Sequence, residues 1–87
     1  MVYDVDVCSI FVDKVIYVFR VRVGDRVERV HELSKEEYRK VNELLSRFRS
    51  SLTKILGINS LCLTYYGVDE AMVSEIVRYG KYIEPEG

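Results

Sequence analysis

Few residues in this chain can do covalent, acid–base or metal chemistry: Cys8, Cys62, the single His31, and the spaced acids Asp4 and Asp6. The cysteines form no CxxC. With His31 they make three ligands, where a structural zinc site needs about four. A catalytic thiol also needs a base and a group to orient it, and one histidine supplies little of that. Two readings of the cysteines stay open. They are buried thiols acting as small hydrophobes, or a Cys8–Cys62 disulfide of the kind found inside some hyperthermophiles.

His31 stands beside Glu32 and reads as a surface or cap residue. Asp4 and Asp6, two apart on an extended segment, could hold a divalent ion, but facing Arg22 they read as a rim ion pair. No Walker-type loop, GxSxG, GxGxxG or HExxH occurs. The five glycines, at 24, 57, 67, 80 and 87, fall at turns, helix ends or the terminus. The expectation is a non-catalytic protein with no cofactor and no metal.

Binding chemistry is better represented. Residues 1–13 carry a balance of −3, residues 14–54 of +5, and residues 55–87 of −3, which sum to the net −1. That near-neutral total excludes a protein that coats nucleic acid by bulk charge. A local basic patch survives it. Arg20, Arg22, Arg26 and Arg29 cluster at Gly24-Asp25. Lys40, Arg47 and Lys54 recur every seven residues, which on a helix makes a ladder with rungs of about 10.5 Å. Tyr65 and Tyr66 offer stacking faces, so single-stranded nucleic acid is one candidate ligand. Ordinary ion pairing competes with that reading, since Glu36 and Lys40, Arg39 and Glu43, and Glu43 and Arg47 are each four apart. No RNP, KH or helix-turn-helix signature is present.

These groups must be positioned by a single domain, because 87 residues cannot supply two cores. Hydrophobic content of 48% with 31% charged residues is that of a globular chain. Gln is absent, only Asn42 and Asn59 carry side-chain amides of that type, and Arg outnumbers Lys by 8 to 5. Such a composition suggests a thermophile. The start MVYDVDV is acidic where a secretory signal is basic, and the longest uncharged run, Ile55 to Val68, is short of the roughly 20 apolar residues of a spanning helix. A soluble, cytoplasmic protein with no membrane partner is expected.

Residues 3–12 alternate as a strand, with Tyr3, Val5, Val7 and Phe11 on one face and Asp4, Asp6, Cys8, Ile10 and Val12 on the other. Residues 15–23 repeat this, setting Val15, Tyr17, Phe19, Val21 and Val23 against Ile16, Val18, Arg20 and Arg22. A three-residue loop, 13–15, keeps the faces matched and opposes Phe11 to Tyr17, Cys8 to Arg20 and Asp6 to Arg22. Gly24-Asp25 is a two-residue hairpin signal. It leads to a third strand near 26–32, whose spacing of apolar residues by three implies a bulge or fraying.

Ser34-Lys35-Glu36-Glu37 is a capping box, with Leu33 and Tyr38 placed as a staple. Tyr38, Val41, Leu45, Phe48, Leu52 and Ile55 then predict one long helix to Leu56, about 33 Å, stopped by Gly57. A fourth strand at 61–66 and a second helix at 69–79 complete the order, with a mobile tail at about 83–87.

The expected fold is α+β: a two-layer sandwich of βββαβα order, an antiparallel meander with one long and one short helix packed on one sheet face. The face opposite the helices would then expose Cys8, Ile10, Val12, Ile16 and Val18, more apolar surface than a small monomer usually leaves open. The leading functional expectation is therefore a small interaction protein. It would use that face to form a homo-oligomer, such as a dimer, or to join a protein partner as an accessory subunit. The alternative is the single-stranded nucleic-acid binder built on the basic and aromatic residues above.

Overall fold

The computed structural model describes residues 1–84. Its elements are strands β1 (Val2–Val12), β2 (Lys14–Val23) and β3 (Arg26–Leu33), helix α1 (Lys35–Leu45), strands β4 (Arg49–Thr53) and β5 (Ser60–Asp69), helix α2 (Glu70–Ile76) and strand β6 (Lys81–Ile83). All six strands form one antiparallel sheet in the order β4-β5-β1-β2-β3-β6. Both helices lie on one face, so the chain is an α+β two-layer sandwich. Two strands, β4 and β6, extend the anticipated βββαβα order.

The first two strands present the faces their alternation predicts, but in a register slid by two. Val12 pairs with Lys14, leaving Asp13 alone at the turn with φ of 64°. Aspartate tolerates this left-handed conformation, because its short polar side chain can satisfy the local backbone. A slide of two keeps every side chain on its own face. It opposes Asp6 to Arg20 and Cys8 to Val18, where a three-residue loop would oppose Asp6 to Arg22 and Cys8 to Arg20.

The β2–β3 hairpin turns at Gly24-Asp25, with Gly24 at φ of 59°. The irregularity expected in the third strand is a bulge: Val21 pairs with Arg29 but Arg22 with Val27. A second register shift, between Tyr3 and Val5 on β1, lies opposite Gly67 of β5, whose φ is 68°.

Helix α1 starts as its capping box requires, with Ser34 Oγ accepting from the Glu37 amide at 3.1 Å and Glu37 Oε1 accepting from the Ser34 amide at 2.8 Å. It ends eleven residues on, at half the predicted length. Ser46 donates its hydroxyl to the Glu43 carbonyl at 2.7 Å, a local bond that competes with helix continuation. Residues 49–53 then find a better arrangement on the edge of β5. There Ser51 hydrogen-bonds Tyr66 at 2.6 Å and Thr53 bonds Thr64 at 3.0 Å. Leu52 and Ile55, expected on the helix's buried stripe, are exposed.

Helix α2 is likewise shorter than the expected 69–79, and is capped by Asp69, which accepts from the Met72 amide at 2.8 Å. Lys81–Ile83 pairs with β3, so Ile83, expected in the mobile tail, lies in a strand. The remainder of that tail, 85–87, lies outside the described residues.

The core sits between sheet and helices. Val5, Val7, Phe19, Val21, Leu33 and Tyr65 from the strands meet Val41 and Leu45 of α1 and Met72 and Ile76 of α2. His31 belongs to this layer and is buried, correcting its reading as a surface residue. Its ring stacks on Phe19 at 4.7 Å between centroids. Nδ1 lies 2.7 Å from the Tyr79 carbonyl, and Nε2 accepts from Arg29 Nε at 3.1 Å. Those partners select the neutral tautomer protonated on Nδ1.

Candidate interaction surface

On the helix-free face, pairing sets Ser51, Thr64, Asp6, Arg20, Val30 and Ile83 in one row across all six strands. Asp6 is fully buried at its centre. Oδ2 accepts from Arg20 Nε and from Arg22 Nε, each at 2.7 Å, and Oδ1 accepts from Thr64 Oγ1 at 2.7 Å and Arg22 Nη2 at 3.0 Å. Burial pushes the Asp6 carboxyl up, but the hydrogen bonds from Arg22, Arg20 and Thr64 outweigh it and hold Asp6 below its ordinary value. In return, the bonds to Asp6 raise Arg22 against its own burial. Arg22 also donates from Nη1 to the Gly24 carbonyl at 2.9 Å, with Asp4 at 3.8 Å from the same atom. The expected rim ion pair is thus a buried hub.

This network takes up much of the predicted basic surface. Arg20 and Arg22 keep only 17% and 11% of their side chains exposed. Arg26 pairs with Glu28 at 3.1 Å, and Arg29 lies on the opposite face, against His31 and 4.9 Å from the Tyr82 ring centre. The seven-residue ladder does not exist. Lys40 is on α1, 3.9 Å from Glu43, and Arg47 follows the helix, 3.7 Å from Asp69 and over the Phe48 ring. Lys54 lies beyond β4. The two tyrosines point to opposite faces. Tyr65 is buried under α1 and donates to Asn42 Oδ1 at 2.7 Å, whereas Tyr66 is half-exposed beneath Arg49, 5.2 Å from the ring centre.

The apolar surface is also redistributed. Cys8 and Cys62 occupy directly opposed positions on β1 and β5 and are joined by a disulfide. With Val18 they form a small second core, packed against Ile10, Ile16 and Leu56 of the β4–β5 connection. Of the five residues expected on an open face, Cys8 and Val18 are therefore buried, Ile10 and Ile16 half-buried, and only Val12 exposed.

Open apolar surface lies instead at one end of the helix-bearing face. Phe11 (59% exposed), Val15, Leu61 and Leu52 (69%) stand there with Ile58 of the β4–β5 connection. Two shallow depressions, of about 290 and 190 Å³, run between them, and Lys54 and Leu61 line both.

The cause is a mismatch of lengths. The eleven residues of β1 extend about 36 Å, whereas the eleven of α1 extend about 16 Å. Helix α1 starts at the level of the Tyr17–Leu33 pair and runs toward Asp69, away from the hairpin, so Phe11 and Val15 lie beyond its first turn. The sequence signal for the early end of α1 is the serine-rich Ser46–Ser51 stretch, which favours local hydroxyl bonds over helix.

Among the described residues, no group of three or more His, Cys, Asp or Glu could hold a metal ion. No helix among them is long and apolar enough to cross a membrane. Compared with known proteins, the chain matches no family model, no curated protein and no solved structure.

Proposed function

We propose that this protein is a non-catalytic interaction module that self-associates, or joins a larger assembly as an accessory subunit, through the hairpin end of its helix-bearing face. The observation that carries the reading is the exposure of Phe11, Val15, Leu52, Ile58 and Leu61 together, beyond the reach of either helix. Large apolar side chains grouped in this way on a small domain mark a surface that is covered in use. The amide-poor composition and the buried Cys8–Cys62 bond support a cytoplasmic protein of a thermophile.

Sedimentation equilibrium over a range of concentrations tests self-association, with Phe11→Ser as the control. Since Phe11 is mostly exposed, the substitution should leave the thermal midpoint nearly unchanged while weakening association. A strictly monomeric wild-type chain of 10.2 kDa removes the self-associating form of the proposal.

A second reading is favoured by Arg49 lying over the half-exposed Tyr66 ring next to Arg20 and Arg22, a cationic and aromatic corner that could take single-stranded nucleic acid. Mobility shift with single-stranded DNA and RNA at two salt concentrations tests it, and no binding at low salt removes it.

A further inference from the structure

We infer that the partner at the hairpin end is a second copy of this chain, held about a two-fold axis by reciprocal ion pairs between Asp13 of one protomer and Lys54 of the other. The inference rests on the interaction reading above and adds the identity of the partner and the contact that orients it. The apolar surface has a cation at one side and an anion at the other. Lys54, the residue after β4, lines both depressions together with Leu61. Asp13 projects at the tip of the β1–β2 hairpin, and Phe11 and Leu61 lie between the two. Among the described residues, neither Asp13 nor Lys54 forms an ion pair, and neither does Lys14, beside Asp13 but set on the other face by its strand position.

A surface with an apolar middle and opposite charges at its two ends is complementary to itself when rotated by half a turn. An axis passing beside Phe11 and Leu61 lays apolar residues on apolar residues and brings Asp13 to the partner's Lys54 twice. Closed two-fold contacts of this kind are the commonest in homo-oligomers.

The test is a double-mutant cycle on the dimer dissociation constant, measured by sedimentation equilibrium. Asp13→Asn removes the charge but keeps a residue that accepts the left-handed turn, and Lys54→Gln removes the other partner. Either change deletes both pairs, so each should weaken the dimer by roughly two- to thirty-fold. The double variant should then be no weaker than the poorer single variant. If the wild type dimerises and the two effects are absent or simply add, the ion-pair geometry is overturned while self-association stands. If the wild type stays monomeric at high-micromolar concentration, the second-copy assignment falls together with self-association. Thermal midpoints of all four proteins should agree closely, which separates loss of the contact from loss of the fold.

Discussion

Glu37 and Gly80 meet across 43 positions: Glu37 Oε2 accepts from the Gly80 amide at 3.0 Å while Oε1 completes the α1 cap. One carboxylate thus closes the first turn of α1 and anchors the turn that leads from α2 into β6. Its bonds from the Ser34 and Gly80 amides hold Glu37 below its ordinary value. Gly80 allows the approach because its φ is 74° and a β-carbon there would collide with the Glu32 carbonyl and the Leu33 side chain. Glu37→Gln keeps one acceptor oxygen where two are used, and should cost about 1 kcal/mol in urea denaturation. Gly80→Ala should cost more, about 2 kcal/mol or above, through backbone strain and the collision combined.

Asp6 should make the fold acid-sensitive. Its folded-state value lies below that of the unfolded chain, so its stabilisation is complete above the unfolded value and is lost as pH falls through the folded one. Glu37 acts in the same direction. Denaturation midpoints should therefore fall steeply below about pH 4, and Asp6→Asn should flatten that dependence. Asp6→Ala leaves Arg20, Arg22 and Thr64 facing an empty position, and should destabilise by about 3 kcal/mol at neutral pH.

Tyr65 governs the alkaline side. Burial, together with the nearby Tyr38, raises its phenol above the ordinary value. A raised value favours the neutral phenol in the fold, so stability is complete below about pH 10 and declines as pH rises further. Tyr65→Phe should reduce that alkaline decline. At neutral pH it should cost about 1 kcal/mol, because Asn42 Oδ1 loses its donor.

The Cys8–Cys62 bond closes a loop across a sequence separation of 54. Loop-closure entropy then gives about 4 kcal/mol of stabilisation, which a Cys8→Ala, Cys62→Ala double variant should lose. Unfolded, unreduced protein should titrate no thiols, and finding two would refute the bond. Because both cysteines are fully buried, reduction of the native protein should proceed at the rate of unfolding rather than scale with reductant strength.

What the sequence made legible is local and periodic. The alternation of residues 3–12 and 15–23, the Gly24-Asp25 turn and the Ser34–Glu37 cap all depend on near neighbours and are readable, whereas the spacing in β3 shows an irregularity that either a bulge or fraying would produce. The end of α1 was not legible. Phe48, Leu52 and Ile55 continue a helical spacing, yet the edge of β5 offers residues 49–53 a full ladder of backbone bonds, a tertiary gain invisible in a short window. That single difference dissolved the Lys40–Arg47–Lys54 ladder and set Leu52 and Lys54 at the sheet edge beside Leu61. The opposition of Cys8 and Cys62, by contrast, could be anticipated, since it needed only adjacency of the first and fifth strands and matching faces. His31 was misread because its partners, Phe19 and Tyr79, come from other elements.

The strand order has a consequence for synthesis. β1, the first strand made, ends in the middle of the sheet, and its second neighbour, β5, is made about fifty residues later. As the chain emerges, the β1–β2–β3 meander can form at once, leaving the outer edge of β1 unpaired along the strand. Such an edge recruits other strands, and nascent copies on neighbouring ribosomes are the nearest available. The acids at Asp4 and Asp6 are the only charges along that edge to resist it until β5 arrives, after which the Cys8–Cys62 bond makes the pairing permanent.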